Sequence, residues 1–586
     1  MSGESATALG AFVTASDKAE FVTRLWTEWD GIRAPAISKW REVEAYRYAT
    51  DTNSLPSASG AFTHTTHTPV LAAIAQDLEA ILLQVVMPHD DWFTFEPMDA
   101  KGARIEQRKV IKSYLQNRHA LNGYAEEVAK LRSDLVTYGV CFSQTFHANE
   151  RKGDKQGYIG PKTRRISPYD IVFDPTATDF ATSPKVIREI ISLGELKRRG
   201  DSGDLDSEVV DKLLKSRSNF ANSDAGEDKN EQYVPTGFGT YQQYIASGFI
   251  ELLWFYGDVY DAQNRELHES QIVVTADREE VLLQDTIKTA SGNPHIFQSV
   301  WQKLPDNLWG MGPLENIVGL NYQVNHRENA KSEALDRLIY PDKVYIGDVE
   351  EMFDEDTGQV TYLAPEGGGV NELAINTQFF SYDLHIDRLT HSARSAARLP
   401  SDLTGFRSQG EKTLGEVTAL TEGGMRGFID KAADFERSSL EQHLKAGIEL
   451  AHENFGNAFK VPNKSESGFI EMLNVTKEDL AVNGVLIPKG ARRFARKNQM
   501  LTTLTQLSAT PLLQFAAPHL SGKSTANLIS ELLEIQDTGM FEEYAQIIEQ
   551  GEAQQVASQV QQSAAIQASQ PSLEEQMITN ELEGTE

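Results

Sequence analysis

Apolar residues along this chain recur first at helical spacing and then at strand spacing. Helical spacing returns on either side of a short strand-rich lobe. Phe21, Leu25 and Trp29 fall at four-residue steps within 18–48, predicting a packing helix with a bend near Ala34-Pro35. Thr68-Pro69 reads as the cap and opening of a second helix. Val70, Leu71, Ile74, Leu78, Ile81, Leu82 and Val85 give it a wide apolar stripe, which Pro88 ends. A third helical region, 103–138, carries Tyr124, Val128, Leu131 and Leu135 and stops at Gly139. Strand character follows in 165–175 (RISPYDIVFDP), 249–261 (FIELLWFYGDVYD) and 271–275, with a turn at 262–264. The stretch 200–248 is rich in Asp, Ser, Asn and Gly and has a helical piece only around 209–214. It predicts a mobile surface excursion.

The stretch 309–341, WGMGPLENIVGLNYQVNHRENAKSEALDRLIYP, predicts one long helix. Gly310 and Gly312 loosen its approach, Pro313 suits a first turn, and Pro341 stops it. Leu314, Ile317, Val318, Val324, Leu335 and Leu338 supply an apolar side. Asn321, Asn325, Asn329, Ser332 and Asp336 recur at three- and four-residue steps as a polar stripe, which on pattern alone reads as a surface helix of an ordinary domain and would also suit one stave of a multi-chain channel. Short strands and turns over 344–380, including Glu366-Gly367-Gly368-Gly369, predict a small lobe, after which 381–398 returns as a helix. Residues 399–411 (LPSDLTGFRSQGE) form a loop, and 414–455 is a long helix that can kink at Gly423-Gly424 and Gly427. Strands return over 469–490, and the basic cluster 491–499 (ARRFARKNQ) suits acidic neighbours or DNA. A helix over 526–550 precedes a Gln-, Ala- and Ser-rich tail, which predicts either disorder or a helical barrel formed with other copies.

Several of these motifs, in this order, resemble tailed-bacteriophage portal proteins, the head-to-tail connectors. The GxGP opening with spaced asparagines, an Asp and a closing Pro is similar to the helix that enters the portal stem. RISPYDIVFDP resembles the SPxDIxxDP strand of the wing, and KTLGEV at 412–417 resembles the TAxEV opening of the helix after the stem. In that last motif Gly415 stands where the family more often has Ala, and Thr413 with Glu416 forms a capping box on its own account. The resemblance spans roughly residues 20 to 510 and leans towards short-tailed phages.

It implies an α+β, mainly helical portal fold, assembled as a ring with wing, stem, clip and crown. The wing would span 1–308 with its insertion at 200–248, and the first stem helix 309–341. The clip would span 342–380, the second stem helix 381–398, and the tunnel loop 399–411. A kinked wing helix with strands would occupy 412–510, the crown 511–550 and the tail 551–586. The implied function is a channel at one capsid vertex for packaging and ejecting double-stranded DNA. Its partners would be further copies of itself (a dodecamer), the large terminase subunit, head-to-tail adaptor and tail proteins, and the major capsid and scaffolding proteins. No membrane is implied. The place of action would be the virion, after assembly in a host cytoplasm. Arg394, Arg398, Arg407, Gln409 and Lys412 lie in or beside the tunnel loop as DNA-facing residues, with intersubunit salt bridging the plain alternative for the arginines. Asp348, Glu350, Glu351, Asp354, Glu355 and Asp356 form the candidate docking surface of the clip, against the ordinary reading of a solvated face.

Charge narrows the picture. The 586 residues carry a net charge of −30, which argues against gripping nucleic acid by counterion release but not against letting DNA slide past. No Lys or Arg follows Lys523, and none lies between Lys343 and Arg388. No window is apolar enough to span a membrane, and MSGESATALGAF lacks the plan of a signal peptide. Cys141, the only cysteine, sits in an apolar run and reads as a core thiol. Gly522-Lys523-Ser524-Thr525 resembles the end of a phosphate-binding loop, but Ala517 stands where the earlier glycine belongs. His64 and His67 lack further ligands at metal spacing, and no GxSxG elbow occurs. The expectation is therefore a protein without cofactor, metal or catalytic residues. The competing classes are a cytoplasmic nucleotide-dependent enzyme using 522–525 and another virion structural protein of the tail or internal core.

Overall fold

The computed structural model describes residues 15–48, 64, 66–87, 92–97, 105–152, 155–216, 249–261, 265–289, 292, 294–339, 343–348, 350–354, 359–363, 368–372, 382–399, 427–456, 459–464, 470–480 and 484–490. They form a mixture of helix and strand in which no sheet closes into a barrel. Among them no helix is long and apolar enough to cross a membrane. The chain divides into two compact units, Met1–Val461 with Asn474–Ala495, and Pro462–Leu473 with Arg496–Glu586. In the second unit only 462–464 and 470–473 are described, and both are extended.

The first unit is organised by α1 (Ala15–Arg47), a helix that runs through Pro35 as a single element. Phe21, Val22, Leu25, Trp26 and Trp29 on α1 are buried against Val172, Val186, Leu253, Phe255 and Val273. Each such side chain contributes about 2 kcal/mol. The residues beneath belong to a five-stranded antiparallel sheet ordered β4-β5-β6-β7-β8. Its strands are β4 (Ile171–Phe173), β5 (Lys185–Ser192), β6 (Phe249–Asp261), β7 (Glu266–Ala276) and β8 (Glu280–Thr286). Because successive strand residues face opposite sides, Leu253 and Phe255 of FIELLWFYGDVYD meet α1 while Ile250 and Leu252 point the other way. There they pack against α5 (Leu193–Ser202) and α6 (Ser207–Ser216). A strand covered on both faces reads as a nearly continuous apolar run rather than an alternation. Part of the surface excursion read at 200–248 therefore belongs to α5 and α6, and 217–248 lie outside the described residues.

A second sheet orders β3-β2-β9: β2 (Val140–Lys152), β3 (Lys155–Ile166) and β9 (Ile296–Val300). The helix expected over 103–138 is two, α3 (Ile105–Asn122) and α4 (Tyr124–Tyr138), divided at Gly123, whose φ is 71°. Around these lie α2 (Val70–Val86), the strand β1 (Phe93–Pro97) and the hairpin β10 (Gln302–Leu304) with β11 (Asn307–Met311).

Two motifs set apart in the sequence meet in one aromatic core. Trp309 stacks on Phe173 with ring centroids 4.4 Å apart and meets Trp40 edge-on at 5.5 Å. Arg33 of α1 is buried and donates to the Pro168 and Ile171 carbonyls at 2.6 and 2.9 Å. It thus fixes the 3₁₀ turn Pro168–Asp170, which separates β3 from β4 within what the sequence suggested was one strand. The GxGP glycine acts in packing. Gly139 has φ +76°, and a Cβ there would lie 2.3 Å from the Gly312 nitrogen, so the two backbones touch where no side chain fits.

Beyond this core, α7 (Val318–Ile339) and α8 (Tyr382–Ala396) flank in sequence a lobe of two antiparallel ribbons. One pairs β12 (Lys343–Ile346) with β15 (Gly369–Glu372), the other β13 (Glu350–Asp354) with β14 (Gln359–Leu363). The first stem helix expected over 309–341 begins at Val318, because Asn307–Met311 is spent in β11 and 313–317 form turns. Helical residues 427–435 then lead through a five-residue π-helix, Glu436–Leu440, into α9 (Glu441–Glu453). The last strand, β16 (Gly484–Pro488), pairs antiparallel with β1.

Candidate functional site

The polar stripe of α7 lies inside the molecule. Asn321, Asn325 and Asn329 are each no more than 2 % exposed. Their carboxamide oxygens accept, in order, from the backbone N–H groups of Leu71 at 3.2 Å, Thr68 at 3.0 Å and Thr66 at 2.8 Å. The segment leading into α2 therefore lies antiparallel to α7 as a strap. Four helical residues rise about 6 Å, and two extended residues advance about 6.6 Å. Asn329 and Asn325, four residues apart, consequently meet the N–H groups of Thr66 and Thr68, two residues apart, while Asn321 reaches Leu71 in the first turn of α2. At the outer end His64 Nε2 pairs with the exposed Asp336 carboxylate. Of the polar stripe, the three asparagines bind their own chain, and Asp336 alone of the four residues is exposed.

This ladder also corrects the capping of α2. Neither Pro69 at its start nor the Thr68 hydroxyl caps the helix, and its first turn has no acidic residue. The Leu71 N–H, one of the orphan donors of a helix start, is satisfied instead by Asn321 from 250 positions away. Among the described residues Asn321 Nδ2 has no partner.

Helix α8 buries Ile386, Leu389 and Ala393 and is joined to α7 by the Lys331–Asp383 ion pair and by Arg327 above the Tyr382 ring. His385, Arg388 and His391 occupy its exposed side. Arg394 is half-buried, and Arg398, just past the helix end, is exposed with a φ of 57° and lies against Gly427. Arg407, Gln409 and Lys412 lie outside the described residues, as do Glu355, Asp356 and Gly522–Thr525. In the lobe Asp348 and Glu350 are exposed, while Glu351 and Asp354 fall within β13. The four residues of β12 are all exposed, with Val344 at 43 %, Tyr345 at 45 % and Ile346 at 47 %. Leu338 and Ile339 on α7, and Leu384 on α8, are exposed as well.

Sequence reasoning missed a second buried polar cluster. His443 Nε2 lies 2.6 Å from Ser143 Oγ, and its Nδ1 lies 3.0 Å from the Tyr124 hydroxyl. His119 stacks on Tyr124 at 4.1 Å. The extra residue of the π-helix rotates the start of α9 by about 100°, which places His443 on the Ser143 side. Ser143, Tyr124 and His443 are each 1 % exposed, and burial drives His119 and His443 down to about 3. Both imidazoles are neutral at pH 7. A serine that no substrate can reach is a structural hydrogen-bond partner, although its geometry alone would suggest a nucleophile. Cys141 is likewise buried, and burial pushes its thiol up. A groove of about 620 Å³ opens between Thr178–Ala181, β9, the β10–β11 hairpin and α9, and its one histidine, His295, is tied to Glu449 at 3.1 Å. Among the described residues no three His, Cys, Asp or Glu converge as a metal site.

No protein-family model matches this chain, and no curated protein matches it.

Proposed function

We propose that this chain is the subunit of a viral portal ring, a channel at one capsid vertex through which double-stranded DNA is packaged and ejected. The observation that carries the reading, beside the order of sequence motifs, is the lobe between α7 and α8. A two-stranded ribbon has little stability alone, yet β12 keeps Val344, Tyr345 and Ile346 more than two-fifths exposed. Exposed apolar side chains on a ribbon and on the helices flanking it in sequence mark an association surface. Neighbouring copies would cover it by heterologous contacts that close into a ring. In this reading Asp348 and Glu350 belong to the docking surface for the packaging motor or an adaptor, and Arg398 stands at the entry of the DNA-facing loop. The protein's work is mechanical, and ATP is spent by its partner.

Negative-stain electron microscopy of the purified chain tests this directly. Rings with an axial hole are expected. Compact monomers or dimers that persist across salt and concentration would overturn the portal reading and turn attention to nucleotide binding at Lys523, checked with Lys523→Ala. Reversing Asp348 and Glu350 to Lys should leave rings intact and weaken motor or adaptor binding most at low salt. Unchanged affinity would remove the docking role.

A further inference from the structure

We infer that the strap over α7 is a latch released by protonation of His67. The latch is independent of the portal reading and rests on hydrogen-bond direction. The Thr68 N–H can only donate, so it fixes Asn325 with Oδ1 towards the strap backbone at 3.0 Å. That orientation aims Asn325 Nδ2, which can also only donate, at His67 Nδ1, 3.1 Å away. His67 Nδ1 must therefore carry a lone pair. The ring also hydrogen-bonds the Tyr46 backbone, which leaves Nε2 to hold the proton. A proton added at Nδ1 sets N–H against N–H₂, and Asn325 can relieve the clash only by turning its amide away from Thr68. Either way a rung of the ladder is lost, at a step whose neighbours hold nothing but backbone.

The surroundings offer a cationic His67 little compensation. On α1 it faces the buried Tyr46 ring, with centroids 6.3 Å apart. Arg47 of α1 and Glu79 of α2 pair with one another, and Asp336 of α7 pairs with His64. Glu44, further along α1, takes the hydroxyls of Tyr138 and Tyr169. The start of α2 adds the positive end of a helix dipole. Burial accordingly pulls His67 below its ordinary 6.5, with the Tyr46 bond opposing.

The latched form prefers neutral His67 and the released form titrates normally, so latching is full above pH 6.5 and fades as pH falls through it. The opening constant therefore rises as pH falls through 6.5, by at most about tenfold between pH 7.5 and 5.5, the limit set by a latched ring that takes up no proton.

Hydrogen exchange of the full-length protein, read by mass spectrometry and corrected for the intrinsic pH effect, tests this on the amides of Thr66, Thr68 and Leu71. Protection should fall at pH 5.5, by up to about tenfold, with the amides of Tyr124–Tyr138 unchanged. His67→Asn, whose oxygen can accept at every pH, should abolish the dependence. His64→Gln, which leaves the His67–Asn325 bond in place, should keep it. Equal protection at both pH values, a parallel loss in α4, or an unaltered dependence in His67→Asn would each overturn the latch.

Discussion

Replacing Asn325 with Ala separates an asparagine that binds its own chain from one that lines a channel. The side chain is fully buried and makes two hydrogen bonds, from Thr68 N–H and to His67 Nδ1. Each contributes about 1 kcal/mol net, and a part-buried N–H left without an acceptor costs a further ~1 kcal/mol or more. The expected loss is therefore about 2–4 kcal/mol, concentrated on the strap. Because a chain of this size need not unfold in one step, the assay is local. In hydrogen exchange at pH 7.5, Thr66, Thr68 and Leu71 should lose about thirtyfold or more of their protection, since ~1.4 kcal/mol is a factor of ten. Asn329→Ala should act in the same direction through Thr66. Ser332→Ala is the control, because Ser332 Oγ donates only within its own helix, to the Glu328 carbonyl at 2.9 Å. If Asn325→Ala and Asn329→Ala behaved like Ser332→Ala, with losses below about threefold, the strap would not depend on the ladder.

Three other outcomes are expected. Folding stability should fall as pH drops from 6.5 towards 3, because His119 and His443 are held neutral in the fold and protonate on unfolding. The slope is at most about 1.4 kcal/mol per pH unit for each, and urea midpoints of His443→Gln should show a shallower dependence. Trp309→Ala should cost about 3 kcal/mol by emptying the site between Phe173 and Trp40, measured by urea denaturation, and a loss under about 1 kcal/mol would discount the aromatic core. Val344→Asp with Ile346→Asp should leave the circular dichroism of the subunit unchanged while reducing the assembled fraction in native mass spectrometry. Undiminished assembly would show that β12 is not part of a subunit contact.

The sequence by itself determined which segments become helices and strands wherever one periodicity dominated. The α1 stripe of Phe21, Leu25 and Trp29, the β6 run FIELLWFYGDVYD and the paired helices around the strand-rich lobe are examples, since local spacing decides which side chains share a face. It also singled out the GxGP turn, RISPYDIVFDP and the spaced asparagines. What those motifs do was decided only by tertiary structure. The glycine serves a backbone contact with Gly139, Trp309 and Phe173 join in one core, and Asn321 caps a helix 250 residues away. No local pattern encodes such contacts, because a carboxamide on a helix looks the same whether it faces water or a backbone. The four-residue step from Asn325 to Asn329 does match the two-residue step from Thr66 to Thr68, yet which two segments meet depends on the packing of everything between them. His443 was harder still, because a π-turn rotates it out of the register that its sequence spacing implies.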